Sequence, residues 1–267
     1  MPLRPPFSPA FVLPLAAALA LVATCAVADT VRLSPGQPLA RMALLKPGVH
    51  RYLRYTVATD GARKAIDIWV RTVSVAPPAQ GQAPQLHIAQ RWDEVDGALL
   101  IQDSWFDPAT FAPKTHVRRL TRDGKTTIGG YLFTPGKVVG MPELPDNGRK
   151  DFTQALPEAS YNFEYDMEFL QALPLAAGRT FDIPFYDPGQ DQPGRYRFVV
   201  AGSERIAGPD GRPIDCWLVT ADYNTGKLVS RFWFAKSDQV LIREAQARDG
   251  GGWLIKALLP PESADAP

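Results

Sequence analysis

The side chains with the right chemistry for catalysis are few and scattered. Histidine titrates nearest neutral pH and occurs at His50, His87 and His116, each inside a run that reads as a β-strand. Glu164 and Glu168 lie four apart, so on a helix they would share a face and could work as an acid and base pair. A serine nucleophile usually sits at Gly-x-Ser-x-Gly or a similar sharp turn, and the chain has none. It also has no His-Glu-x-x-His and no cysteine pair at metal-ligand spacing. No glycine-rich loop follows a strand and opens a helix, so nothing supports a nucleotide site. We therefore expect no catalytic residue, no metal and no cofactor. The histidines read as structural, the two glutamates as solvated or paired with Arg179 or Lys150, and Arg118 and Arg119 as outward strand residues. Cys216, between Ile214 and Trp217 in sequence, reads as a small buried hydrophobe.

What remains is aromatic. RFWFAKSDQVLIREAQ, residues 231–246, places Phe232, Trp233 and Phe234 in succession. Strand alternation puts Phe232 and Phe234 on one face and Arg231 and Trp233 on the other. The same alternation separates Phe198 from Arg197, and Leu218 from Trp217. One face of this region is thus nearly continuous apolar surface, either core or the lining of a groove. Trp233, beside Arg231 on the face that should be polar, reads as an exposed binding feature.

These residues must be positioned by strands. Asp60-Gly61, Asp96-Gly97, Asp123-Gly124, Asp210-Gly211 and Asp249-Gly250, with Asn224-Thr225-Gly226, are tight-turn signals, because Gly accepts positive φ without steric cost. Between them lie runs rich in Val, Ile, Tyr, Phe, Trp and Thr, as strands prefer. The pattern predicts an antiparallel meander with strands near 48–58, 64–75, 85–95, 98–106, 114–122 and 125–133. After a gap, further strands fall near 179–186, 195–207, 213–223, 227–235, 239–248 and 252–259. Segments 75–84 and 134–159, crowded with Pro and Gly, read as loops. Over 160–173 the period changes: Phe163, Met167, Leu170 and Leu173 recur at helical spacing. Ser160 or Asn162 is placed to cap this helix, and Pro174 to stop it. The one helix must bury its stripe against the sheet.

Residues 1–28 combine Arg4, an apolar run from Ala10 to Ala23 and the small pair Ala26 and Ala28. That is the pattern of a secretory signal peptide cleaved after Ala28, so we expect a periplasmic protein without a transmembrane segment in the mature chain. Val22-Ala23-Thr24-Cys25 resembles a lipobox, which makes lipid attachment at Cys25 the alternative. Cleavage removes Arg4 and no acid, leaving 28 basic and 28 acidic residues. That neutral balance gives no support for a nucleic-acid partner, which would need excess Lys and Arg to neutralise phosphates. Only Cys216 remains, so no internal disulfide is available. Residues 29–259 are expected to form one domain and 260–267 a disordered tail.

Several stretches in order, WFDPATFAPKTH (105–116), YLFTPGKVVG (131–140), MEFLQALPLAAGRTFDIPFYD (167–187), YRFVVAGSERIAGPDGRPIDCWLV (196–219) and RFWFAKSDQVLIREAQ, resemble exported bacterial proteins of the domain-of-unknown-function 3108 family, over about residues 85–259. The resemblance implies a curled sheet similar to the open barrels of the LolA and LolB lipoprotein carriers, and it carries no activity or catalytic residue with it. The expected fold is α+β and mostly β: a highly curved antiparallel sheet, an open or half barrel, wrapped around one helix. The expected role is non-enzymatic, an envelope protein binding an apolar ligand such as a lipid or acyl group, or a protein partner. Met167, Leu170, Phe198, Leu218, Phe232 and Phe234 would line its concave face, with Trp233 beside it. The alternatives are an envelope hydrolase acting on lipid or glycan through His116 or the helix carboxylates, and a structural or assembly protein.

Overall fold

The computed structural model describes residues 30–76, 83–189 and 192–261. The signal segment with Cys25, the middle of the 75–84 loop and the end of the tail lie outside the described residues. The first strand, β1 (Thr30–Arg32), precedes a run of antiparallel neighbours: β2 (Gly48–Val57), β3 (Arg63–Ala76), β4 (Gln85–Glu94), β5 (Leu99–Phe106), β6 (Pro113–Arg122), β7 (Lys125–Thr134), β8 (Lys137–Gly140) and β9 (Thr153–Ala155). A connecting segment holds β10 (Tyr161–Asn162), a 3-10 turn (Phe163–Tyr165) and the one α-helix, α1 (Asp166–Gln171). The second meander is β11 (Thr180–Tyr186), β12 (Gly194–Ala207), β13 (Pro213–Ala221), β14 (Ser230–Ala235), β15 (Leu241–Ala247) and β16 (Trp253–Leu258).

All twelve predicted strands are present, and the predicted turn glycines at 61, 97, 124, 211, 226 and 250 have positive φ. Antiparallel pairing of β16 with β2 joins the two meanders into one 16-stranded sheet, with β1 and β10 both pairing parallel to β11. The sheet stays open, since β1 and β9 are its two ends.

The sheet is strongly curved. Strands stacked flat at about 4.8 Å apiece would carry β5 tens of ångströms from β11. Yet Phe169 of α1 lies edge-on to both Phe111, in the β5–β6 turn, and Phe185 of β11, with ring centroids 5.7 and 5.4 Å away. A single apolar cluster gathers Trp69, Ile88 and Phe106 from one meander with Phe198, Phe232 and Phe234 from the other. Irregularities in the ladders at Arg54/Tyr55, Trp105/Phe106, Val200/Gly202 and Trp233/Phe234 add the local bend this needs.

The predicted helix over 160–173 is shorter than its periodicity implied. Tyr161 and Asn162 are extended and pair with Phe185 and Tyr186. Asn162 then caps the 3-10 turn, its side-chain oxygen accepting from the Glu164 N–H at 3.2 Å. Ser160 caps nothing and donates instead to the Glu158 carbonyl. α1 is not amphipathic in place: Met167, Glu168, Phe169, Leu170 and Gln171 are all buried. The 134–159 loop likewise contains two short strands, β8 and β9. Gly140, at the end of β8, lets the chain at Arg149 pass close by, since a Cβ there would meet the Arg149 carbonyl oxygen at 1.9 Å.

Candidate functional site

The concave face was expected to hold a ligand. Met167, Leu170, Phe198, Phe232 and Phe234 do come together there, at 3% exposure or less, in the main apolar cluster. They pack on one another and on Phe185 and Tyr223, with Phe198 6.1 Å from Phe185 and 6.2 Å from Phe232. None of the five lines either of the two recesses described below.

Leu218 and Trp233 belong elsewhere. The register of β13 on β14 sets Val219 opposite Phe232 and Leu218 opposite Trp233. Val219 therefore shares the concave face, while Leu218 and Trp233 face the other way. There they join a second apolar cluster with Cys216, Ala235, Ile242, Ala245 and Ile255. Alternation within one strand fixes relative faces only; which parity of the next strand matches is set by pairing. Trp233 is not exposed either. It is 8% accessible, and its indole N–H donates to the Glu204 carboxylate at 2.7 Å. Cys216 is fully buried and burial pushes its thiol up to about 11, so it is protonated and unreactive at neutral pH.

A groove of about 700 Å³ opens on that second face. Its walls are Val49 at the start of β2, Ile214 of β13, Val240 and Ile242 around the start of β15, and Leu258 and Leu259 at the end of β16. His50, Arg51, Ser237 and Asp238 supply the polar part of the lining. The β14–β15 turn that forms one wall is fastened to the end of α1. Gln239, 2% exposed and held at φ 56°, donates from its side-chain amide to the carbonyls of Gln171 and Leu173 at 2.7 Å each. The Gln171 amide in turn donates to the Asp238 carbonyl at 3.1 Å. Burial lowers the pKa of His50 despite the nearby Glu168 and Asp238, so the groove wall carries a neutral imidazole at neutral pH.

A second recess, about 340 Å³, lies on the concave side between Trp69, Trp92, Phe163 and Tyr223. Around it are buried and half-buried charges, among them Arg118, which the sequence placed on the outward side of its strand, and Glu164 and Glu168, which it left solvated or paired elsewhere. Arg71, 1% exposed, forms a bidentate pair with Glu168. Arg118 pairs with Glu164 and reaches Asp187 at 3.4 Å. Arg54 pairs with the buried Asp67. Neither Arg179 nor Lys150 partners the helix glutamates. The true partners are far apart in sequence, Arg71 and Glu168 by 97 residues, so no local pattern points to them.

The histidines separate cleanly. His116 is fully buried, its Nδ1 2.9 Å from the Ser104 hydroxyl, and burial drives its pKa down to about 3. It faces no open recess. His87 is half-buried on the outer face, stacked on Trp105 at 4.3 Å, with Nε2 3.2 Å from Asp103 and Nδ1 3.4 Å from the Ser74 hydroxyl. This serine, histidine and aspartate sit side by side on three paired strands, outside both recesses, and Arg119 holds the other Asp103 oxygen at 3.1 Å. A hydrolase needs a cleft and oxyanion donors beside such a chain. Here the mid-strand amides that would serve are committed to the sheet ladder.

Among the described residues no group of three or more His, Cys, Asp or Glu is arranged to hold a metal ion, and no helix is long and apolar enough to cross a membrane.

Residues 54–252 match the model of one protein family, described as a protein of unknown function, DUF3108. The chain belongs to the DUF3108 family. The match begins at Arg54, in β2, rather than near residue 85, so β3 and the end of β2 are part of the family's span, while β1 and the start of β2 precede it. Within the DUF3108 span lie all the walls of the aromatic recess except Lys256, whereas the groove draws on Val49, His50, Arg51 and Leu258 from outside it. No curated protein matches the chain.

Proposed function

We propose that this DUF3108 protein is a non-catalytic, exported binding protein of the cell envelope that holds the acyl chain of a lipid in the groove on its second face. The observation that carries the reading is the groove itself. About 700 Å³ lies within the roughly 300–1,000 Å³ of small-molecule sites, and the walls are aliphatic side chains from four strand ends. Each methylene transferred from water to such walls contributes about 0.8 kcal/mol, so a long acyl chain gains enough to bind without any charged contact. Export rests on residues 1–28, and the likeness to LolA-type open barrels rests on the curved open sheet embracing α1 and its flanking turns.

The hydrolase reading gains no support from the His87 chain, which lies outside both the groove and the aromatic recess. For an assembly protein one expects a broad apolar patch. Among the described residues the exposed large aliphatics are Val49, Val75, Val95 and Val229, on four separate strands and turns.

The test is mass spectrometry of protein expressed with its leader and recovered from the periplasm, native and after solvent extraction. It is paired with titration of a fluorescent fatty acid into wild type, Val240→Asp and Leu259→Asp. The expected result is a chain starting at Asp29, a co-purifying acyl lipid, and saturable binding weakened about tenfold or more in each variant. A bare protein mass with no saturable binding overturns the acyl reading. A lipid-modified Cys25 as first residue overturns cleavage after Ala28.

A further inference from the structure

The aromatic recess differs from the groove in chemistry and lies on the opposite face of the sheet. Its walls are built before any ligand arrives. Trp69 of β3 and Trp92 of β4 meet edge to face, centroids 5.3 Å apart. Both indole N–H groups donate to one acceptor, the Gln90 side-chain oxygen, at 3.0 and 3.3 Å. Gln90 is 1% exposed, and its amide nitrogen donates to the Glu164 carbonyl at 3.0 Å. The indoles are thereby locked with their polar edges turned to Gln90. Phe163 and Tyr223 form another edge-to-face pair, at 5.5 Å.

The charges around these walls do not balance. Glu164, Asp166, Asp187 and Glu244 line the recess, and Lys256 is the one cation that does. Glu164 and Asp187 share Arg118. Glu244, 2% exposed, lies 2.7 Å from Lys256. Asp166 has no cation of its own: among the described residues it makes no ion pair, although it is half-buried, and its carboxyl shares a hydrogen bond with the Tyr223 hydroxyl. A carboxylate without a cation inside aromatic walls is costly to the fold, and a positive ligand relieves that cost while also meeting the electron-rich ring faces. The rings already serve cations in this way. The Arg54 guanidinium sits 4.2 Å over Trp92, and Lys256 sits 5.0 Å over Trp69.

We propose that the recess between Trp69, Trp92, Phe163 and Tyr223 binds an organic ammonium group, with Asp166 as its counter-ion and Lys256 as the built-in competitor. A neutral polyol would satisfy hydrogen bonds there but leave the excess charge in place. The volume of about 340 Å³ suits a small amine or the ammonium end of a larger molecule. Burial raises the Asp166 carboxyl to about 7 against the pull of Lys256 and Arg71, with Glu244 and Glu168 adding to the rise. The ammonium therefore binds more strongly at pH 8 than at pH 6, where Asp166 is mostly protonated. The inference is independent of the acyl groove.

Nuclear magnetic resonance of the six indole N–H groups provides the test, with tetramethylammonium and ethanolamine as probes. The expected result is saturable shifts of the Trp69 and Trp92 signals at pH 8 while Trp105, on the outer face, stays still. Binding should weaken about tenfold in Asp166→Asn, weaken in wild type at pH 6, and tighten in Lys256→Met. Loss of indole dispersion in Asp166→Asn would mark misfolding, and the pH dependence and Lys256→Met then decide. Absence of shifts, or affinity indifferent to all three changes, overturns the proposal, as does stronger binding of a neutral sugar. A short-chain phosphatidylethanolamine that binds more tightly than ethanolamine assigns the ammonium to a lipid headgroup; equal binding assigns it to a free amine.

Discussion

Arg71 and Glu168 form a buried two-point ion pair across 97 residues of sequence, joining the middle of β3 to α1. The Arg71 Nε donates to Glu168 Oε1 at 2.6 Å, and its Nη2 donates to the other carboxylate oxygen. Burial opposes the charge on Arg71, yet the adjacent Glu168 carboxylate outweighs it and holds the guanidinium pKa above its ordinary value. The pair fastens the connecting segment to the first meander, while pairing of β10 with β11 fastens it to the second.

Breaking one half of that pair leaves a buried charge alone. Arg71→Met or Glu168→Leu should each destabilise the protein by about 3–5 kcal/mol, whereas the double variant Arg71→Met/Glu168→Leu should recover much of the loss. Urea unfolding followed by tryptophan fluorescence reads all three. Additive losses in the double variant would show that the two side chains act separately.

The aromatic run of β14 divides by face. Phe232 is fully buried in the main core, so Phe232→Ala should cost about 3–5 kcal/mol. Trp233→Phe keeps a ring against the second cluster and forfeits the hydrogen bond to Glu204, costing about 1 kcal/mol. Equal losses in calorimetric unfolding would contradict this assignment of faces.

His116 and Asp166 make opposite demands on pH. The folded-state pKa of His116 is depressed to about 3 from 6.5. Its neutral imidazole is therefore accepted in full above pH 6.5, and stability is lost as pH falls from there toward 3. The folded-state pKa of Asp166 is raised from 3.8 to about 7, so its contribution is lost as pH rises from about 4 through 7. Wild-type stability should thus vary little between pH 4.5 and 6.5 on account of these two groups. Asp166→Asn should gain stability over wild type as pH rises to 8, and its own stability should fall more steeply on acidification. Guanidinium midpoints at pH 4.5, 6.5 and 8 measure both slopes. An Asp166→Asn variant no more stable than wild type at pH 8 would remove the electrostatic cost assigned to this carboxyl.

The chain's local order was legible without coordinates. Asp-Gly and Asn-Thr-Gly turns and the β-rich runs between them located all twelve long strands, because turn chemistry and strand preference act over neighbouring residues. The same reading named five residues that do meet on the concave face. Four short strands escaped it: β1, β8, β9 and β10 hold between two and four residues each, too few for alternation to register, and they exist because longer strands offer them an edge.

What only the tertiary structure decided is how distant segments meet. The parity of β13 against β14 moved Leu218 off the concave face to the side of Trp233, since a strand's own sequence cannot say which of its faces its neighbour will match. The segment at 160–173 has helical spacing, but pairing with β11 took its start and burial on every side took its amphipathicity. The charges at Arg54, Arg71 and Arg118 look like surface residues in sequence; they are internal because the carboxylates that neutralise them arrive from elsewhere in the chain. Turn chemistry and strand preference set the strands, because both act between neighbours; the curvature that brings Phe169 against Phe111 and Phe185 is a property of the whole open sheet.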